Sequence, residues 1–270
     1  MKRLLELNRI YNMDCLEGMD LMIKQGIKVD AIITDPPFLH VKGGMKSKRI
    51  NTGSYKAESF VNTSMRDFDE PQIYNLLDKA KSLFNGSFNG YFFCSRLQIV
   101  SYLKWTQENK LEYDVLIWDR QKNSMISTKF YTSNIDYVIR IYGKGRALNK
   151  IVNGYGKGDV EYYKKIQSYK HPKEYGHETE KPIELITKYI MLSTNENDVV
   201  LDPFIGSGTT AVACIKTDRK YIGFELSEEY CKIAEKRISE TTSNQIELPE
   251  IEHNAPQRQF DWLDELFGGE

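Results

Sequence analysis

The chain has 270 residues, 40% of them apolar and 28% charged, with a net charge of −1. These values are ordinary for a globular enzyme of one large α/β domain or two small ones, and the near-neutral total excludes a generic polycationic nucleic-acid binder. No apolar run nears the ~18 residues that span a bilayer, the opening Met1-Lys2-Arg3-Leu4-Leu5-Glu6 lacks the apolar core of a secretory signal, and Cys15, Cys94, Cys214 and Cys231 form no CxxC pair. A membrane protein, a zinc module and a disulfide framework are thereby disfavoured, and a reducing, cytoplasmic setting is expected.

Leu7 to Asn12 reads as a short strand and Leu16 to Lys24 as a helix stopped by Gly26. Val29 to Thr34 is an apolar, buried-type strand that runs into Asp35-Pro36-Pro37-Phe38. Residues 39–66 show little periodicity and read as a long flexible loop, a length that usually carries function or is disordered. Pro71 starts a helix to about Phe84, Gly90 to Cys94 is a buried strand, and Leu97 to Glu108 an amphipathic helix. Tyr113–Trp118 and Ile135–Tyr142 follow without an intervening helix, which predicts an antiparallel pair at one sheet edge. From Gly143 to about Gly176 the pattern dissolves into Gly, Lys, Tyr and His, the form of an inserted recognition region. Pro182 opens a helix, and two βαβ-like steps follow: Val199–Leu201, a helix to about Lys216, Tyr221–Phe224, and a helix from Ser227 to Ile238. Residues 241–258 read as a loose tail before a short helix carrying Phe260, Trp262, Leu263, Leu266 and Phe267 on one face.

Charge is distributed unevenly beneath the neutral total. Residues 39–66 hold Lys42, Lys46, Lys48, Arg49, Lys56 and Arg66 against Glu58 alone. Residues 140–181, which include Lys144, Arg146 and Lys150, hold ten basic residues against five acids, whereas 240–270 holds eight acids against Arg258. Local charge is what a phosphate backbone feels, so the two basic segments are the expected DNA contacts; a solvated surface is the plainer alternative for either one alone.

The second Gly/Pro-rich strand end is Asp202-Pro203-Phe204-Ile205-Gly206-Ser207-Gly208-Thr209-Thr210. A strand, a Gly206-x-Gly208-x-x-Ala211 bend, a helix and a strand ending in Glu225 form a nucleoside-binding layout. Glycine admits the ligand to bare backbone, the helix N-terminus favours negative charge, and the acid binds ribose hydroxyls. A P-loop is disfavoured because no Lys follows the glycines. A dinucleotide fold requires the bend directly after the strand, whereas four residues intervene here, and a plain capped glycine turn is the structural alternative. An acid at the strand tip suits a cofactor with a cationic amine, such as the methionine end of S-adenosylmethionine.

At the first strand end, Pro36 and Pro37 lack N–H groups and stiffen the backbone, so the Pro36 carbonyl and the Asp35 carboxylate can aim at one spot. Two acceptors directed at an –NH2 group push its nitrogen towards a nucleophilic lone pair, and Phe38 offers a stacking face worth about 1–3 kcal/mol to a base. Such a base has to leave its duplex first. Alone, the segment is equally well a Pro-stopped strand with a solvated Asp.

In combination these residues resemble the S-adenosylmethionine-dependent DNA amino-methyltransferases of the permuted β class, over roughly residues 7–240. Asp35-Pro36-Pro37-Phe38 is similar to the family's catalytic DPPY-type motif, and Asp202-Pro203-Phe204 with Gly206-Ser207-Gly208-Thr209 to its cofactor loop. His177-Glu178-Thr179-Glu180-Lys181-Pro182 resembles its H-x-T-x-K-P segment, Tyr221 to Glu225 its ribose-binding strand, and Asn12-Met13-Asp14-Cys15 the N-terminal segment whose acid faces the cofactor's adenine. The resemblance implies a Rossmann-like α/β methyltransferase sheet, mostly parallel with an antiparallel edge strand, in circularly permuted order. Residues 1–142 would be the catalytic half with its basic loop 39–66, 143–176 a target-recognition insertion, 177–240 the cofactor half, and 241–270 an acidic tail. Asp35, Pro36, Pro37 and Phe38 would act on the target amine. Asp14, Cys15, Lys181, Asp202, Phe204, Gly206, Ser207, Gly208, Thr209 and Glu225 would bind S-adenosylmethionine, without a metal. Lys42, Lys46, Lys48, Arg49, Lys144, Arg146 and Lys150 would contact double-stranded DNA. The DPP form goes mostly with adenine N6, with cytosine N4 as the alternative, and an NAD-dependent oxidoreductase or a non-catalytic nucleic-acid-binding module are the rivals of another class. A homodimer and a cognate restriction endonuclease remain open as partners.

Overall fold

The computed structural model describes residues 4–38, 45–49, 55–59, 68–121, 134–151, 163–169, 180–241 and 251–252. Its centre is an eight-stranded sheet. In chain order the elements are β1 (Arg9–Asn12), α1 (Cys15–Gln25), β2 (Ala31–Thr34), β3 (Met45–Arg49), β4 (Tyr55–Ser59), α2 (Glu70–Ser82), β5 (Asn89–Cys94), α3 (Ile99–Glu108), β6 (Glu112–Asp119) and β7 (Ile135–Tyr142). They continue as β8 (Lys150–Ile151), β9 (Ile166–Ser168), α4 (Ile183–Ser193), β10 (Val199–Asp202), α5 (Thr209–Lys216), β11 (Lys220–Glu225), α6 (Glu228–Glu240) and β12 (Ile251–Glu252). The spatial order is β1-β11-β10-β2-β5-β7-β6-β9. β1, β11, β10, β2 and β5 run parallel, and β7 is antiparallel to both β5 and β6.

The strands alternate, so adjacent residues serve opposite faces. Ile32, Phe92, Ile139, Leu201 and Ile222 join Met19 and Met22 of α1, Ile73, Leu76 and Leu77 of α2, and Tyr102 and Trp105 of α3. Their neighbours Ile33, Tyr91, Phe93, Val138, Val200 and Tyr221 turn the other way, to Leu185, Ile186 and Ile190 of α4 and to Ala211 and Cys214 of α5. The result is a three-layer α/β sandwich with both faces covered, which is why its parallel strands read as continuous apolar runs. Among the described residues no helix is long and apolar enough to cross a membrane.

Local chemistry sets the helix ends. Asp14 accepts from Leu16 and Glu17 N–H to cap α1, and Gly26 ends it at φ +69°. Asp69 and Gln72 close a capping box on α2, and Ser227 caps α6.

Three sequence expectations change. The 113–142 pair is antiparallel as expected but is not the edge: Ile166–Ser168 adds β9 parallel to β6 beyond it. A three-residue strand is too short for periodicity to announce it. Residues 39–66, read as a loop, contain the antiparallel ribbon β3–β4, whose polar sequence offers no apolar alternation. Within the expected 143–176 insertion, Asn149 donates to the Met191 and Thr194 carbonyls and Ile151 is buried with Met191 and Leu192, so residues 148–151 pack on the end of α4. Ile151 and Lys150 also pair with β12, inside the segment read as a loose tail. The expected terminal helix around Trp262 lies outside the described residues.

Candidate active site

The parallel strands all deliver their carboxyl ends to one edge of the sheet, where ligands gather in open α/β folds. β1 ends beside β11 with Asn12 opposite Glu225, so Asp14 follows one strand over from Glu225. β10 and β2 are neighbours, and the Thr34 hydroxyl, one residue before Asp35, donates to Asp202 Oδ1 at 2.7 Å. The double-proline corner and the glycine bend, distant in sequence, are therefore locked together at their roots.

Asp35 pairs with Lys181 through Oδ2, while Oδ1 is buried without a hydrogen-bond partner among the described residues. Burial pushes the Asp35 carboxyl above its ordinary value, the Lys181 ammonium opposes that push, and the Asp136 charge adds to it. Phe38 is half-buried and packs with the aromatic cluster of the second face.

Asp202 is buried and fully engaged. Oδ1 also accepts from Phe204 N–H at 3.1 Å, and Oδ2 accepts from the Thr210 hydroxyl at 2.6 Å. Its pKa is pushed up to about 6 by burial, against the pull of those hydrogen bonds. Asp202 thus shapes the loop rather than projecting from it. Gly206 and Gly208 adopt φ +51° and +86°, and a Cβ on Gly208 would lie 2.8 Å from that of Ala234. The Glu225 carboxylate accepts from Gly206 N–H at 3.1 Å and Ser227 N–H at 2.8 Å, and so holds the bend.

Arg237 of α6, which no motif marks, braces the loop from behind. It donates to the Ser207 carbonyl at 2.9 Å, the Ser207 hydroxyl at 2.8 Å and the Thr209 hydroxyl at 3.2 Å, and it pairs with Glu180 at 2.9 Å. Ser207 and Thr209 therefore face Arg237, and the Glu180–Lys181 segment is pinned to the same brace. Cys15 belongs to the core of the first face, and burial beside Asp14 pushes its thiol up to about 12.

Gln98 is the other residue that sequence reasoning missed. Fully buried, its amide donates to the Pro37 carbonyl at 3.0 Å and the Phe68 carbonyl at 2.8 Å. Its oxygen accepts from Ser95 N–H and the Ser95 hydroxyl. Phe68 in turn meets Phe204 edge-to-face, with ring centroids 5.5 Å apart. One amide thus clamps the double-proline corner and the point where the chain returns from residues 39–67 against the glycine-bend loop.

The model of the DNA methylase family with N6/N4 specificity matches residues 29–236. The chain belongs to that family. Type II methyltransferase M2.MboI of Moraxella bovis is 26% identical over 258 residues, spanning 86% of this chain and 88% of that protein. The solved complex of M1.HpyAVI with SAM superposes with a TM-score of 0.63 at 27% identity, over 85% of this chain and 98% of that one. The PvuII DNA methyltransferase, described as cytosine-N4-specific, shares the fold with a TM-score of 0.56 at 16% identity, over 88% of this chain and 87% of that one.

The methylase's basic residues divide by position. Lys46, Lys48 and Arg49 lie in β3 of the ribbon that follows the double-proline corner; Lys42 is outside the described residues, as are His177 and Thr179. Arg146 sits at the opposite, amino edge of the sheet, donating to the carbonyls of Ser87 at 3.2 Å and Ser193 at 3.3 Å. Lys144 and Lys150 flank it, exposed at that same edge. The double-proline corner and the Arg146 cluster thus stand at opposite ends of the strands.

Proposed function

We propose that this DNA methylase transfers a methyl group from S-adenosylmethionine to the exocyclic N6 amino group of adenine in double-stranded DNA, after the base has rotated out of the helix. The single observation that carries the reading is the buried Asp35 Oδ1, an acceptor without a donor among the described residues, one residue from the Thr34–Asp202 bond that joins the two strand ends.

The chain's residues fit the cofactor. A carboxylate has about four acceptor sites, so Glu225, with two backbone N–H bonds, retains acceptors for a ribose diol. The backbone of Gly206 is bare of side chain where the diol would lie. S-adenosylmethionine, when bound, supplies a methyl carbon on a sulfonium, electrophilic without a metal.

Every other part of the chemistry belongs to this chain. Asp35 Oδ1 and the Pro36 carbonyl accept the two N–H groups of the target amine, which weakens its conjugation with the ring and frees its lone pair. Phe38 stacks on the extruded base, and Pro37, held by Gln98, fixes the corner. Positioning supplies most of the acceleration. As the nitrogen forms its bond to the methyl carbon and the carbon–sulfur bond breaks, the surplus amine proton passes to Asp35 and then to solvent, which reaches a side chain 23% exposed.

The test is incubation with labelled S-adenosylmethionine and unmethylated DNA, followed by nucleoside analysis. N6-methyladenine is the expected product, and N4-methylcytosine would replace the adenine assignment. Asp35→Ala should abolish transfer while leaving cofactor affinity within about threefold, less than 1 kcal/mol; wild-type turnover in that variant overturns the role of Asp35.

A further inference from the structure

The family resemblance gives Lys181 to the cofactor, but its ammonium lies elsewhere. It pairs with Asp35 Oδ2. The rings of Phe93, Phe38 and Trp118 surround it, with centroids 5.0, 5.7 and 5.9 Å from Nζ. Its side chain is 9% exposed, and it hangs from an anchored backbone, since neighbouring Glu180 is paired with Arg237.

We propose that Lys181 is the resident counter-ion of the methyl-acceptor site, a positioning residue that, paired with Oδ2, keeps Asp35 a carboxylate so that Oδ1 can accept from the target amine. The inference rests on the assignment of Asp35 above. The groups facing Asp35 make the need for a cation plain. Asp136 on β7 and Asp202 on β10 are acids that disfavour a second negative charge, while Cys94 on β5 and Tyr102 on α3 are neutral. Arg120, after β6, stands 3.6 Å from Asp136 and is spent on it. Among the described residues, Lys181 is the cation in contact with Asp35.

A protonated Asp35 would present a donor where the amine needs an acceptor, so catalysis depends on this pair. The three ring faces attract an ammonium without offering hydrogen-bond acceptors that compete with Asp35.

The experiment is single-turnover methyl transfer to DNA by the full chain across about pH 5.5 to 9.5, for the wild type, Lys181→Met and Lys181→Arg, with cofactor affinity by calorimetry. Lys181→Met should move the acid limb of the rate profile up by about one unit or more, so that its rate falls roughly tenfold at neutral pH and recovers as pH rises. Lys181→Arg should keep the limb within about half a unit of wild type, and cofactor affinity should change by less than about threefold in both. Superimposable limbs for wild type and Lys181→Met, or a loss confined to cofactor affinity, overturn the inference and return Lys181 to the cofactor. If Lys181→Met does not fold, Lys181→Arg decides, because a shifted limb in a variant that retains the charge is equally fatal. A wild type that transfers no methyl to DNA, or an Asp35→Asn variant that keeps the wild-type limb, would instead bring down the reading of Asp35.

Discussion

Asp202 shows how much one side chain can organise. Its two oxygens gather the Thr34 hydroxyl, the Phe204 amide and the Thr210 hydroxyl, which fixes β2, the cofactor loop and α5 around one buried charge. The charge is costly, and the cost has a sign. The carboxyl's pKa rises from 3.8 in the unfolded chain to about 6 in the fold, so its favourable contribution is complete below the lower value and is lost as pH rises through the upper one. Asp202→Asn keeps the shape without the charge. We predict that chemical denaturation will show the protein with Asp202 gaining roughly 1–2 kcal/mol more than Asp202→Asn on going from about pH 7 to about pH 5. Asp35 is raised in the same direction and its charge is coupled to that of Asp202, so both proteins in this comparison carry Asp35→Asn. At Gln98 the donors can be separated from the acceptor. Gln98→Glu keeps an oxygen for Ser95 but gives Pro37 and Phe68 no donor at neutral pH, so its methyl-transfer rate should fall at least as far as that of Gln98→Leu, by roughly tenfold or more for two lost buried hydrogen bonds. Single-turnover kinetics with cofactor and DNA saturating check this. The acids and glycines of the site were legible in the sequence because their chemistry requires fixed spacing. Gln98 and Arg237 were not, since a lone amide or guanidinium acquires meaning only from the carbonyls that the fold brings to it.

At the scale of elements, the cofactor loop is held against α6. Gly208 is left-handed and its Cα faces Ala234, so Gly208→Ala incurs both a backbone and a packing penalty, together about 2–4 kcal/mol. Ala234→Gly in the same protein relieves the overlap but not the φ angle, and should recover only part of the loss in urea melts. Glu180→Ala, which leaves Arg237 buried without its acid, should cost about 3–5 kcal/mol and loosen Lys181 along with it. The helices and the long strands followed from periodicity and caps, as in α1 with Asp14 and Gly26. β9, β8 and β12 did not, because two or three residues cannot display a period; neither did the β3–β4 ribbon, whose residues alternate without an apolar partner. Within the expected recognition insertion, the packing of Ile151 on α4 was not legible for a related reason: it rests on a single buried side chain in a run of polar ones.

At the scale of the molecule, charge and topology govern behaviour. If the ribbon that follows the corner in the chain meets phosphates, neutralising Lys42, Lys46, Lys48 and Arg49 together should flatten the dependence of log affinity on log salt by about 0.9 for each phosphate that a basic side chain no longer neutralises. Arg146, whose guanidinium binds the carbonyls of Ser87 and Ser193, should behave oppositely: Arg146→Met lowers stability and leaves that slope unchanged. DNA-binding isotherms at several ionic strengths, with thermal melts alongside, separate the two.

The placement of β10 and β11 between β1 and β2 has a further consequence for synthesis. A ribosome releases β1 and β2 first, yet until residues 199–225 have emerged β1 lacks its partner β11 and β2, though already able to pair with β5, lacks its partner β10. A nascent chain stopped short of that point carries the double-proline corner but neither the Thr34–Asp202 clasp nor the Glu225 bend. Long-range pairing of this kind makes folding slow and late. The two strand ends are therefore joined only after β10 and β11 have been made, and these later strands tie the earlier ones together.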